Sequence, residues 1–271
     1  MIEKLRKIFR KHPGIFHLLS KIYQSGGKYV LSGHFLYYVK YLLTIRYSEV
    51  KKLKMRGFSQ IHPFHSGDWR IGKGLDNAYR RYYLAVYAGK RCFIKIGTND
   101  ATVRNEYQIS IEQQGKPFSF SPEYLAGDPA FAKNTVMIAV AFIDGLKEFE
   151  IPDTKELFED ICRQFIVILD TLKNRDIVHG DIHKGNLMMN GSTLILMDYG
   201  ISMIKSKGNQ IDYRARPGTF YSYEGSQRVY DDAYSFVKMV EKSSIPRDLL
   251  KSKVFLDIQH RIGENSFKVD A

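Results

Sequence analysis

The sequence predicts an α+β chain in two lobes, strands first and helices second. Three features predict it. Runs rich in aromatic and β-branched residues alternate between residues 61 and 143. A helical periodicity begins after Pro152. Within that second half, two short apolar runs flank Asn190-Gly191, a dipeptide typical of tight hairpins. Ahead of both lobes, residues 1–60 form a basic extension of amphipathic, helix-like pattern.

In the first lobe, residues 69–71, 79–87 and 91–96 read as strands, with Ala88-Gly89-Lys90 as a hairpin turn. Asp100 is placed to cap a helix running to Gln114, and Gly115 to end it. Residues 136–143 form a further strand. In the second lobe, Asp153 followed by Glu156 predicts a capping box. The face Leu157, Ile161, Phe165, Ile168 and Leu172 then marks a long helix. A polar segment, residues 202–216, leads to one or two final helices. The extension covers 1–60 and a single main domain 61–271, divided into lobes at 61–143 and 144–271.

Composition narrows the function classes. The 44% hydrophobic and 26% charged content suits a packed core. Cys92 and Cys162 lie in apolar surroundings without metal spacing, which predicts buried free thiols, a reducing compartment and a cytoplasmic protein. No secretory signal or membrane-spanning run is expected. Thirteen Lys/Arg against Glu3 and Glu49 give residues 1–60 a net +11 of the chain's +12. That asymmetry predicts docking of the extension on the main domain or peripheral contact with an anionic membrane. Nucleic acid is not expected, since no recognition motif accompanies the charge.

Chemistry concentrates in HGDIHKGN followed by MDYG, which supply His179, Asp181, Asn186, Asp198 and Gly200. Phosphoryl transfer needs a carboxylate to receive the attacking hydroxyl's proton and oxygen ligands for Mg²⁺ beside the phosphates of ATP. An Asp, an Asn five residues on, and an Asp after a hairpin provide those groups. The arrangement resembles the catalytic loop and DFG element of the protein-kinase-like superfamily. The resemblance implies Asp181 as catalytic base, Asn186 and Asp198 as Mg²⁺ ligands, and His179 as a brace. Tyr199 stands where that family usually has Phe.

The same resemblance implies a phosphate-binding Lys95 in CFIKI, with strand alternation turning it away from Ile94 and Ile96. Its expected partner is Glu106, beside the stripe Val103, Tyr107 and Ile111, with Glu112 as the fallback. Gly72, Gly74 and Asn77 would form the nucleotide loop, Asn77 replacing a third glycine. Backbone near Ala139 and Ala141 would hold adenine, with Ala85, Ile138 and Leu187 as apolar walls. Arg216-Pro217-Gly218-Thr219 resembles the end of an activation segment. Asp232 corresponds to a structural acceptor for amides near His179.

Gly180 and His183 replace the Arg and Lys of serine/threonine kinases. The HGDxHxxN form looks like that of small-molecule and glycan kinases, and most resembles the bacterial lipopolysaccharide core heptose (II) kinase family. This implies phosphorylation of an inner-core sugar hydroxyl at the cytoplasmic face of the inner membrane. Lys184, Lys205, Lys207, Arg214 and Arg216 would meet an anionic acceptor. A serine/threonine protein kinase and a nucleotide-binding pseudokinase are the alternatives.

Overall fold

The computed structural model describes residues 46–64, 80–207 and 220–270. The expected nucleotide loop at Gly72, Gly74 and Asn77, most of the basic extension, and Arg214 and Arg216 lie outside the described residues. The chain is α+β: among the described residues the longer strands lie before residue 142 and most helices after residue 153. Its contacts divide it into two compact units, Met1–Asn99 and Asp100–Ala271.

In the first unit, helix α1 (Arg46–Met55) leads to strands β1 (Ser59–Pro63), β2 (Arg80–Tyr87) and β3 (Lys90–Thr98). β2 and β3 pair antiparallel from Arg80↔Gly97 to Tyr87↔Lys90. Both residues of the connecting turn, Ala88 and Gly89, have positive φ (49° and 80°). That is the handedness a two-residue hairpin requires. The boundary expected at residue 60 falls inside β1.

Helix α1 buries only Glu49 and Leu53, one turn apart. Arg81 Nε donates to Glu49 Oε1 at 2.9 Å, and its Nη2 contacts the same oxygen. Tyr83 Oη donates to Glu49 Oε2 at 2.7 Å, and Arg81 Nη2 also reaches Thr98 Oγ1 at 2.9 Å. Glu49 and Arg81 are each 5% exposed. An acid from the basic extension thus fastens α1 to the sheet.

The second unit begins with α2 (Ala101–Glu112), capped as expected by Asp100, whose Oδ1 accepts from the amides of Thr102 and Val103 at 3.0 and 3.2 Å. β4 (Tyr124–Ala132) and β5 (Thr135–Ala141) follow as an antiparallel pair. β4 is absent from the sequence prediction because Gly127, Asp128 and Pro129 interrupt its pattern. Its register shifts around that segment. β5 stops at Ala141, two residues before the predicted end.

α3 (Lys155–Asn174) packs on α4 (Asp232–Glu241) and α5 (Lys253–His260). Phe165 stacks on Phe236 with ring centroids 3.9 Å apart, and Phe158 meets Phe255 at 5.7 Å. The predicted capping box does not form. The N-cap is Thr154, without a side-chain cap bond, so Glu156 sits one position too early to reach back. Leu157 is 58% exposed while Phe158 is buried. At about 100° per residue, Leu157 lies about 80° from the centre of the buried arc that runs through Phe158, Cys162, Phe165 and Leu172.

Short pairings complete the unit. β6 (Lys147–Glu148), β8 (Leu187–Asn190) and β9 (Thr193–Leu196) form one small sheet, and β7 (Ile177–Val178) pairs with β10 (Met203–Ile204). Gly191, with φ 61°, takes the first position of the β8–β9 loop. The last segment is not purely helical. β11 (Ser222–Glu224), β12 (Gln227–Asp231) and β13 (Ser266–Asp270) make a three-stranded sheet around Tyr230 and Phe267, stacked at 5.0 Å.

Among the described residues no helix is long and apolar enough to cross a membrane. Cys92 and Cys162 are buried and free. Burial pushes their thiols up to about 11 and about 12, so both are poor nucleophiles.

Glu49→Ala leaves the Arg81 charge buried without its carboxylate, a change that costs roughly 3–5 kcal/mol. The expected result is a lower urea midpoint with an unchanged m-value. Equal midpoints for the variant and wild type would refute the anchoring role.

Candidate active site

The loop after β7 carries Asp181 and is held by its own main chain. Asp232, 1% exposed, accepts from the His179 amide through Oδ2 and from the Gly180 amide through Oδ1, both at 2.8 Å. Burial pushes its carboxyl up to about 7, against the opposing pull of those two amides. Gly180 has φ 75°, and a Cβ there would meet the Phe267 ring at 3.4 Å. The contact is an ordinary one, so it is the positive φ that calls for glycine.

His179 is fully buried. Its Nε2 lies 3.0 Å from the Met197 carbonyl and its Nδ1 accepts from the Asp181 amide at 3.3 Å. A carbonyl can only accept, so the proton resides on Nε2 and the ring is neutral. Burial lowers its pKa, while the Asp181 charge opposes the shift. His179 therefore ties the catalytic loop to the strand end before Asp198.

Asn186 Nδ2 donates to the Asp181 carbonyl at 3.0 Å and to Asp181 Oδ2 at 3.1 Å. The Asn186 carbonyl accepts from the Met197 amide at 2.9 Å. With β8 and β9 paired between them, Asn186 and Met197 face each other across the base of a hairpin, and Asp198 follows immediately. The structure thus brings Asp181, Asn186 and Met197–Asp198 together, as their order in the sequence predicts.

The donor chemistry fits a hard cation. Asn186 commits its NH₂ to Asp181, leaving the amide oxygen as its ligand atom, and Asp198 adds a carboxylate. Among the described residues no group of three or more His, Cys, Asp or Glu could hold a metal. Mg²⁺ matches such a site, because it takes one or two protein oxygens and completes its shell with water and phosphate.

His183 Nδ1 accepts from the Gly185 amide at 3.0 Å, and Nε2 lies 3.6 Å from Asp181 Oδ2. Hydrogen bonding toward that carboxylate raises the imidazole pKa, although 3.6 Å is long for such a bond. Lys184 is exposed. Lys205 pairs with Asp176 at 3.7 Å and Lys207 contacts Glu112, so both bases expected at the acceptor already have acidic partners. The same contact places Glu112 at a surface ion pair.

Lys95 belongs to β3 in the first unit and is 8% exposed, flanked by the fully buried Ile94 and Ile96. Alternation did not leave it facing water. Glu106 belongs to α2 in the second unit and is half-buried. The buried face of α2 is Val103, Asn105, Ile109 and Ser110, rather than the expected Val103, Tyr107 and Ile111; Ile111 is 36% exposed. This face places Glu106 nearer the centre of the buried arc than the predicted stripe did.

Ala139 is buried within β5 opposite Ala126. The Ala141 amide donates to the Glu123 carbonyl at 2.8 Å, so it is occupied within the sheet. The irregular backbone suited to a base begins one residue later, at Phe142. Ala85, Ile138 and Leu187 are buried. Sequence reasoning missed Asn105. A polar residue on a helix carries no signal of burial until its partners are known.

No protein-family model matches the chain, and no curated protein does. The structure of the Cydia pomonella granulovirus kinase PK-1 is similar at 18% identity and a TM-score of 0.42, over 59% of this chain and 60% of that one. The match thus spans less than two thirds of that kinase.

Asp232→Ala strips the acceptor from two buried amides, each costing about 1–3 kcal/mol. Thermal unfolding is expected to drop accordingly. His179 contributes a separate acid limb. Its unfolded pKa is near 6.5 and its folded pKa is lower, so its contribution is complete above about pH 6.5 and is lost as pH falls through the folded value. Urea midpoints between pH 7.5 and 5 should decline in the wild type and decline less in His179→Gln. Identical slopes would contradict a buried neutral imidazole.

Proposed function

We propose that this chain is an ATP- and Mg²⁺-dependent phosphotransferase acting on an alcohol hydroxyl. The observation that carries the reading is the assembly of Asp181, Asn186 and Asp198 on one loop and one hairpin base, braced by His179 and Asp232. Asp181 receives the proton of the attacking hydroxyl, and the Asn186 amide holds its carboxylate in place. Asn186 and Asp198 supply oxygen ligands for the metal. Mg²⁺, when bound, neutralises charge on the phosphates. Lys95, buried in β3, is the phosphate-binding lysine.

The acceptor we propose is a glycan, with an inner-core heptose of lipopolysaccharide as the substrate. Gly180 supports this over protein. The arginine that pairs with a phosphorylated activation loop in serine/threonine kinases is replaced here by a glycine at φ 75°, a conformation strained for any side chain. His183 adds the HGDxHxxN pattern of small-molecule and glycan kinases.

The basic extension supports a cytoplasmic enzyme lying at an anionic membrane face. Helix α1, fastened through Glu49, exposes Lys51, Lys54, Tyr47 and Met55. Cations beside exposed apolar side chains suit a headgroup region.

Labelled ATP should transfer phosphate to dephosphorylated core lipopolysaccharide and not to a generic protein substrate. Asp181→Asn is expected to reduce turnover by roughly 10²–10⁴-fold, and Asp198→Ala to abolish the Mg²⁺ requirement along with activity. Labelling of protein alone would reject the glycan acceptor. Turnover that survives both substitutions would reject phosphotransfer at this site.

A further inference from the structure

The residue before Glu106 has a role that the catalytic pattern does not assign. Asp198 has φ 59° and ψ 74°, a left-handed conformation uncommon for a residue with a side chain. Tyr199–Ile201 then form a single 3₁₀ turn, too short to fix Asp198 alone.

Helix α2 adds a restraint on this turn. Asn105, 6% exposed, points its Nδ2 at three carbonyls of this turn: Ser202 at 2.6 Å, Gly200 at 3.3 Å and Tyr199 at 3.4 Å. Its two N–H groups are shared among carbonyls of residues 199, 200 and 202, all just past Asp198. A second contact lies one helical turn earlier. A Cβ on Gly200 would stand 3.2 Å from Thr102 Cβ and 3.2 Å from Asp198 Oδ1. The bare glycine therefore lets the first turn of α2 and the Asp198 carboxylate approach the same point.

We infer that Asn105 is a positioning residue for Asp198, fixing the turn that aims its carboxylate at the metal. The inference rests on the phosphotransferase reading for the identity of the metal. It makes α2 and the Asp198 turn one rigid element, so displacement of the helix weakens metal binding without touching a ligand. Outer partners of metal ligands commonly change affinity by about 10–100-fold.

The test measures binding rather than turnover. Mg²⁺ is titrated against the full chain with a non-hydrolysable ATP analogue, followed by calorimetry, and amide exchange is recorded over residues 199–202. Asn105→Leu keeps the volume and removes both donors. It should raise the Mg²⁺ midpoint about tenfold, leave metal-free nucleotide affinity within twofold, and accelerate exchange across the turn. Asn105→Ser, with one short donor, should recover part of the loss.

A wild-type Mg²⁺ midpoint in Asn105→Leu overturns the role even if its melting temperature falls. If Asn105→Leu does not fold, Gly200→Ala decides. Its Cβ displaces Asp198 Oδ1 or Thr102, and an unchanged midpoint overturns the inference. A wild-type chain that binds no Mg²⁺-nucleotide rejects the phosphotransferase reading itself, and the metal role with it.

Discussion

The amides of His179 and Gly180 lie beyond the two-residue strand β7, and the side chain of Asp232, at the start of α4, accepts from both. A buried carboxylate is an expensive group, and burial raises its pKa to about 7. Two 2.8 Å bonds to consecutive main-chain donors offset part of that cost. They also fix the two successive peptides that lead into Gly180, directly before Asp181. Removing the acceptor would leave those donors buried, so the loop, the start of α4 and Asp181 share one conformation.

From that fixed point the rest of the site follows through main-chain bonds. His179 reaches Met197, Asn186 reaches Met197 from the other side, and Asn186 also holds Asp181. These partners lie within 19 residues of one another, and the β8–β9 hairpin closes the longest gap. Local closure of this kind needs little loop entropy. Two distant residues then act on this locally closed geometry: Asp232 holds the loop, and Asn105 of α2 holds the turn after Asp198.

This locality explains what could be read from the sequence. Asp181, Asn186 and Asp198 were legible because their spacing encodes a loop, a turn and a strand end. Asp100 was legible as a cap because its partners are two and three residues away. Asn105 was not, since its acceptors lie more than 90 residues on. β4 was hidden by Gly127-Asp128-Pro129, and the β11–β12–β13 sheet by pairing strands that flank two helices. Asp153 misled for the opposite reason: a correct local pattern lost to a helix that starts one residue later.

Charge placement follows the same division between local pattern and distant partner. Residues 1–60 read as a basic extension, with Glu49 as one of only two acids. The structure spends that acid internally, against Arg81 and Tyr83 on β2. An acid neutralised inside a fold no longer offsets the lysines on the helix that carries it. Helix α1 is thereby held by its negative charge and presents Lys51 and Lys54 outward beside Tyr47 and Met55. A uniformly basic helix would have no acid with which to bind Arg81, and a neutral one would have no attraction for anionic headgroups. Glu49 attaches the helix to the sheet that bears Lys95, while Lys51 and Lys54 stay exposed.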